Sequence, residues 1–203
     1  MRLRFILIFC IVFCFFGKSQ KPSKHERIWA FKHPIAAIKA KHISKKCFII
    51  YEQIKNSKHL DTNSNGGKLD AFRHVFFMAA FAQNIKIKKI DKLGLAHEKA
   101  NYDQFLKNGF ENGEVPDSIS TVMDLKNNTL GYEIGNKEKK LNLMELSNLV
   151  ITNINNGLAV IIKRNKKGKY VDCEGNIILP TATKKWNINK CLVKSNEDYN
   201  NVN

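Results

Sequence analysis

The sequence predicts a mainly α fold, a compact multi-helix domain with a small C-terminal β-hairpin. Three observations predict it. Apolar residues recur at three- and four-residue spacing from about His25 to Lys163. Clusters rich in Gly, Pro and Asn punctuate that pattern. From Lys166 the pattern gives way to the turn-rich run NKKGKYVDCEGNIILP. The expected division is a signal peptide over 1–19, an N-terminal helical segment over 20–60, a helical core domain over 61–165 carrying a polar site, and a hairpin with a disordered tail over 166–203. No repeat at a fixed period is present.

The elements follow in order. Arg2 and Arg4, the uninterrupted apolar run Phe5 to Phe16, and the small residues Gly17 and Ser19 form the pattern of a secretory signal peptide. The run is shorter than the ~20 residues of a membrane span, so export is expected and no transmembrane span remains after cleavage. His25 to Lys58 reads as two helical pieces divided at Pro34, with Ile28, Phe31, Ile35 and Ile38 and then Ile43, Phe48, Ile49 and Ile54 as their apolar positions. The histidines His25, His33, His42 and His59 lie among lysines and are read as solvated. Asp61 to Gly67 is a loop by composition. Helices follow over 68–84, with Leu69, Phe72, Phe76, Ala79 and Ala80 on one face, and over 87–107. Asn108 to Gly113 is a turn, and Val115, Pro116 and Asp117 open a third helix. Leu141 to Lys163 is expected to be a fourth. Tyr170 and Val171, a turn near Gly175, and Ile177 to Leu179 form the expected hairpin, and 192–203 a frayed tail.

The formal net charge is +16, and signal cleavage removes three basic residues and no acid. Such a chain favours anionic partners, an anionic envelope component or phospholipid, in a secreted or periplasmic setting. The lysines are spread along the chain without interleaved aromatics, so no nucleic-acid groove is read. Cys10 and Cys14 fall in the signal segment. Of the rest, Cys173 and Cys191 flank a turn-rich stretch and can pair in an oxidising compartment, leaving Cys47 as a buried structural thiol.

Three polar clusters stand inside otherwise apolar helices: DAFRH (Asp70 to His74), His97 with Glu98, and MDLKNNTLG (Met123 to Gly131). Burying such groups is costly unless each finds a partner, so they are expected to converge. His74 held by Asp124, or by Asp70 one turn before it, has a fixed tautomer and serves as a general base. Glu98 is then an acid or second base, oriented by His97. Asn128 and Asn127 can donate to a developing oxyanion, and Arg73 can hold an anionic group. The candidate catalytic set is therefore His74, Asp124, Glu98 and Asn128, and the substrate-binding set Arg73, Asn127, Asp70 and His97. No serine in a nucleophile-elbow context and no cysteine beside a histidine is visible, which favours attack by activated water on an ester, phosphodiester or amide. No cofactor is expected. A divalent-metal version would use His74, His97, Glu98 and Asp124; it ranks lower, because Asn101 stands where the HExxH spacing needs histidine. The competing reading is a non-enzymatic envelope-binding or scaffold protein whose polar network only locks helices together.

On Ala71, Phe72, Arg73 and His74, then His97 and Glu98, then Asp124, Leu125, Asn127, Asn128 and Gly131, the chain resembles an uncharacterised bacterial domain of unknown function. That domain is found in secreted proteins and at the ends of large toxin-like proteins, with A-[FY]-R-H, HE and D-L-x-N-N-x-x-G blocks in this order. The likeness covers roughly 65–135, and Val75, Phe76 and Phe77 stand where the family often carries a Trp. It implies a mostly helical domain with a shared polar site, and no established activity.

Overall fold

The computed structural model describes residues 22–107, 114–178 and 185–197. The expected signal peptide, Cys10 and Cys14, the turn over 108–113, Leu179 and the last six residues lie outside these. Among the described residues there are six helices: α1 (Lys24–Lys32), α2 (Pro34–Lys55), α3 (Lys68–Asn84), α4 (Ile87–Leu106), α5 (Ser118–Lys137) and α6 (Leu143–Asn155). Two short strands, β1 (Val160–Ile162) and β2 (Leu192–Lys194), complete the chain. The mainly α fold with a small two-stranded antiparallel unit near its C-terminus is the one the sequence predicts. Among the described residues no helix is long and apolar enough to cross a membrane.

Local chemistry accounts for the boundaries. Ser23 caps α1 and Asn142 caps α6, each in a capping box closed by a glutamate three residues on. Pro34 takes the first turn of α2, where its missing N–H costs nothing. Asp117 accepts from the backbone N–H groups of Ile119 and Ser120 and so starts α5.

The central element is α3, which packs against α2, α4, α5, α6 and β1. Leu69, Phe72, Val75, Phe76, Ala79 and Ala80 are fully or almost fully buried, against Met123 of α5 and Leu146, Val150 and Ile154 of α6. A second cluster joins Trp29, Ala36, Ala40, Phe81, Ile85 and Ile90. Helix α5 comes close enough to α3 that Gly131 and Gly135 face the α3 backbone directly.

The C-terminal part departs from expectation. The fourth helix ends at Asn155, not at Lys163, because Gly157 adopts φ +80 and turns the chain into β1. Strand β1 pairs with β2, Ile161 opposite Val193, so residues 192–194 are a strand, not tail. The hairpin expected around Gly175 is reduced to the single bridges Arg164–Tyr170 and Val171–Ile177.

Cys173 and Cys191 are bonded, and Cys47 is free and fully buried. The bond closes a separation of 18 residues. Cys173→Ser is expected to cost about 3 kcal/mol, read as a lower urea midpoint. Burial pushes the Cys47 thiol up to about 12. Alkylation of Cys47 by iodoacetamide, read at that residue by peptide mass, is therefore expected to be negligible in native protein and to become fast on unfolding; fast native labelling of Cys47 would contradict the buried position.

Candidate functional site

The site begins in the loop before α3. Asp61 accepts from the N–H groups of Lys68 (2.9 Å) and Leu69 (3.1 Å), capping the helix from outside it. Asp70 therefore has other work than capping. Its Oδ2 accepts from Gly66 N–H at 2.7 Å, and its Oδ1 accepts from Arg73 Nη2 at 2.7 Å. Gly66 holds φ +68, suited to glycine, and its carbonyl accepts from Ile162 N–H, so the loop is fastened to β1 as well.

One turn further on, His74 reaches α5. Its Nδ1 lies 3.2 Å from Asn128 Oδ1. Its Nε2 lies 3.2 Å from Asp124 Oδ1, 3.1 Å from Arg73 Nη2 and 3.7 Å from Asp70 Oδ1. Since an amide oxygen only accepts, Asn128 assigns a proton to Nδ1. Nε2 is then the basic nitrogen, and a proton taken up there faces two carboxylates. His74, Asp70, Asp124 and Asn128 are all buried; the Arg73 side chain is partly exposed.

Two cavities meet at this cluster. The larger, about 350 Å³, has Trp29, Ala37, Ala40, Phe77, Phe81 and Leu93 on its apolar walls and Arg73, His74, His97, Asn128 and Glu26 among its polar ones. Its volume is within the ~300–1,000 Å³ usual for small-ligand sites. Along α3 its wall runs Arg73, His74, Phe77, Met78, Phe81. At ~1.5 Å per residue that is roughly 12 Å from a polar to an apolar end. The smaller cavity, about 10 Å³, is lined by Asn65, Asp70, Arg73, Glu114, Asp124 and Tyr170. It has room for about one water. Arg73 borders both.

The remaining candidates are placed differently. His97 stands on the wall of the larger cavity, but its Nδ1 pairs with Glu26 Oε1 of α1 at 3.1 Å. Glu98 is buried and accepts from Asn101 one turn along α4, at 3.4 Å. Asn127 faces β1: its amide donates to Val160 O and accepts from Val160 N–H, both at 3.0 Å. These two hydrogen bonds lock β1 on α5 as a backbone pair would and engage both ends of the Asn127 amide. His25 is also not simply solvated, because its Nε2 lies 3.0 Å from Asp103 Oδ2.

Burial acts to raise the Glu26 carboxyl, but the hydrogen bond and charge of His97, with help from Ser23, outweigh it and hold it at about 2. A lowered carboxyl contributes stability that is complete above its ordinary value of 4.5 and lost as pH falls through about 2. Melting temperature is thus expected to fall in that window, and Glu26→Gln to flatten the fall; an unchanged slope would contradict the pair.

Asp70, Arg73 and Asp124 on the wall of the smaller cavity are sequence candidates, but sequence reading missed Asn65, Glu114 and Tyr170 opposite them. The Tyr170 hydroxyl donates to Glu114 Oε2 at 2.7 Å and accepts from Arg164, which also donates to Asn65 O. The Arg164 guanidinium and the Lys190 ammonium stand 4.0 and 3.9 Å from the Tyr170 ring centroid. Burial, and next the Glu114 carboxylate, raise the Tyr170 hydroxyl above its ordinary range. Lys190 in turn pairs with the buried Asp117. These partners are 56 to 99 residues apart for Tyr170–Glu114 and Arg164–Asn65, so no local spacing announces them.

Among the described residues, Asp70, His74 and Asp124 each offer a ligand atom within 4.8 Å of the others. This differs from the metal set expected from sequence, which used His97 and Glu98 in place of Asp70. Arg73 Nη2 is 2.7 Å from Asp70 and 3.1 Å from His74, so a cation bound there would stand against a guanidinium.

Neither a curated protein nor a solved structure matches the chain. A family model described as a domain of unknown function (DUF6973) matches residues 27–158, from α1 through α6. That match takes in most of the chain and every member of the His74 cluster, and the chain belongs to the DUF6973 family of domains of unknown function.

Proposed function

We propose that the protein is an exported hydrolase in which His74 activates water against an ester, phosphodiester or amide. The observation that carries this reading is one buried histidine flanked at both ring nitrogens, Nδ1 by Asn128 and Nε2 by Asp124 and Arg73, while forming part of the wall of a ligand-sized cavity. With Nδ1 protonated toward Asn128, Nε2 takes a proton from water. The resulting imidazolium has Asp124 at 3.2 Å and Asp70 at 3.7 Å as counter-charges, against the opposing Arg73 guanidinium at 3.1 Å. Arg73, at the border of the two cavities, is placed to orient an anionic group of the substrate, and the Asn128 amide to donate to the oxyanion. The apolar walls suit a substrate with a hydrocarbon body.

A second reading has an observation of its own. His74, Asp124 and Asn128 tie α3 to α5 while each is buried, which is what a purely structural lock needs. The experiment is a hydrolysis screen over esters, phosphodiesters and amides with apolar chains, run on the wild type and on His74→Ala. Turnover by the wild type that His74→Ala loses supports the hydrolase. Turnover equal in both, or none on any substrate, leaves the lock.

A further inference from the structure

Helices α1 and α2 turn large apolar side chains outward. Ile28 is 43% exposed, Phe31 72%, Ile35 71% and Ile38 59%. Ile28 and Phe31 are three apart on α1, and Ile35 and Ile38 three apart on α2, so each pair shares a helix face. The two pairs flank His33, the single residue joining the helices. Exposed apolar residues scattered singly need no explanation, but four gathered at one corner do.

The corner is also strongly basic. Residues 24–46 hold seven Lys or Arg and one acid, Glu26, and that acid is engaged by His97. Lys32 and Lys39 alternate with the outward apolar positions, and Lys45 and Lys46 follow on α2. Apolar side chains ringed by cations on a short helical surface are the chemistry of an interfacial helix, which seats its hydrocarbon among acyl chains and its ammonium groups among phosphates. A protein partner would need complementary apolar shape as well as acid; a bilayer needs only the two properties that this corner has.

We infer that the α1–α2 corner, Ile28, Phe31, Ile35 and Ile38 with the lysines around them, is a docking surface for an anionic phospholipid bilayer. The same helices also wall the larger cavity, through Trp29, Ala37, Ala40 and Phe48. The inference does not depend on hydrolysis at His74, and loss of either leaves the other standing.

The test is co-sedimentation of the full chain with vesicles of phosphatidylcholine alone or mixed with phosphatidylglycerol. The mixed vesicles are expected to bind at least tenfold better, with binding reduced by salt. Phe31→Glu with Ile35→Glu is expected to lower the partition coefficient at least tenfold with an unchanged melting temperature. These side chains are mostly in solvent, and Phe31→Ala with Ile35→Ala serves if the glutamates disturb the fold. Equal binding by wild type and variant would place the contact elsewhere, residues 1–21 included, and overturn the inference. So would absence of binding to anionic vesicles, or a wild-type dimer that the variant dissolves.

Discussion

Gly135→Ala is expected to destabilise the protein by about 3 kcal/mol or more, because a Cβ there would collide with the Ala79 carbonyl of α3. The obstacle is backbone, which no side-chain rotation removes. At Gly131 the same added carbon would stand 2.5 Å from the Val75 carbonyl oxygen, so the two glycines set the spacing of α3 and α5. For a chain of this size the loss corresponds to roughly 10 °C in melting temperature. Gly168→Ala is the control: φ is +73 there, but nothing lies within 4 Å of the added carbon. It should show only the smaller cost of a left-handed backbone, ~1–2 kcal/mol. A Gly135→Ala protein melting with the wild type would mean that the two helices do not approach this closely. His74 would then not meet Asp124 and Asn128 as described.

Asp124→Asn carries the second large effect, and it falls on rate. The amide is nearly the same size and can donate through its nitrogen to Nε2 of the neutral ring, so the α3–α5 contact survives. What disappears is the negative charge, 3.2 Å away, that stabilises the protonated ring. Turnover of whichever substrate the screen identifies is expected to fall by ~10²–10⁴, with a melting temperature within a few degrees of wild type. A large fall in melting temperature with turnover unchanged would instead assign Asp124 to the structural lock.

The helices that build the cluster were legible because their signals are local. The periodic burial of Leu69, Phe72, Phe76 and Ala79 depends on residues a few positions apart, and α3 stands where that signal places it; the helix expected to open at Val115 begins at Ser118, with Asp117 as its cap. Past Asn155 the same reasoning overran. Leu158 and Ile161 keep the helical spacing, but the left-handed turn at Gly157 redirects them, and Ile161 is buried from a strand instead. The pairing of β1 with β2 and the contact of Asn127 with Val160 join segments about thirty residues apart. No pattern within either segment announces the other. The clusters DAFRH and DLKNN did show which polar groups would be buried. Whether a group meets its neighbour's helix, as His74 does, or a strand, as Asn127 does, depends on rotation about helix axes that spacing alone does not resolve.

The most direct measurement is turnover and melting temperature, taken side by side, for His74→Gln. Glutamine can reach the same partners through its amide but cannot take up a proton near neutral pH. The expected result is hydrolysis lost with folding largely retained; hydrolysis at the wild-type rate would contradict a catalytic His74 outright.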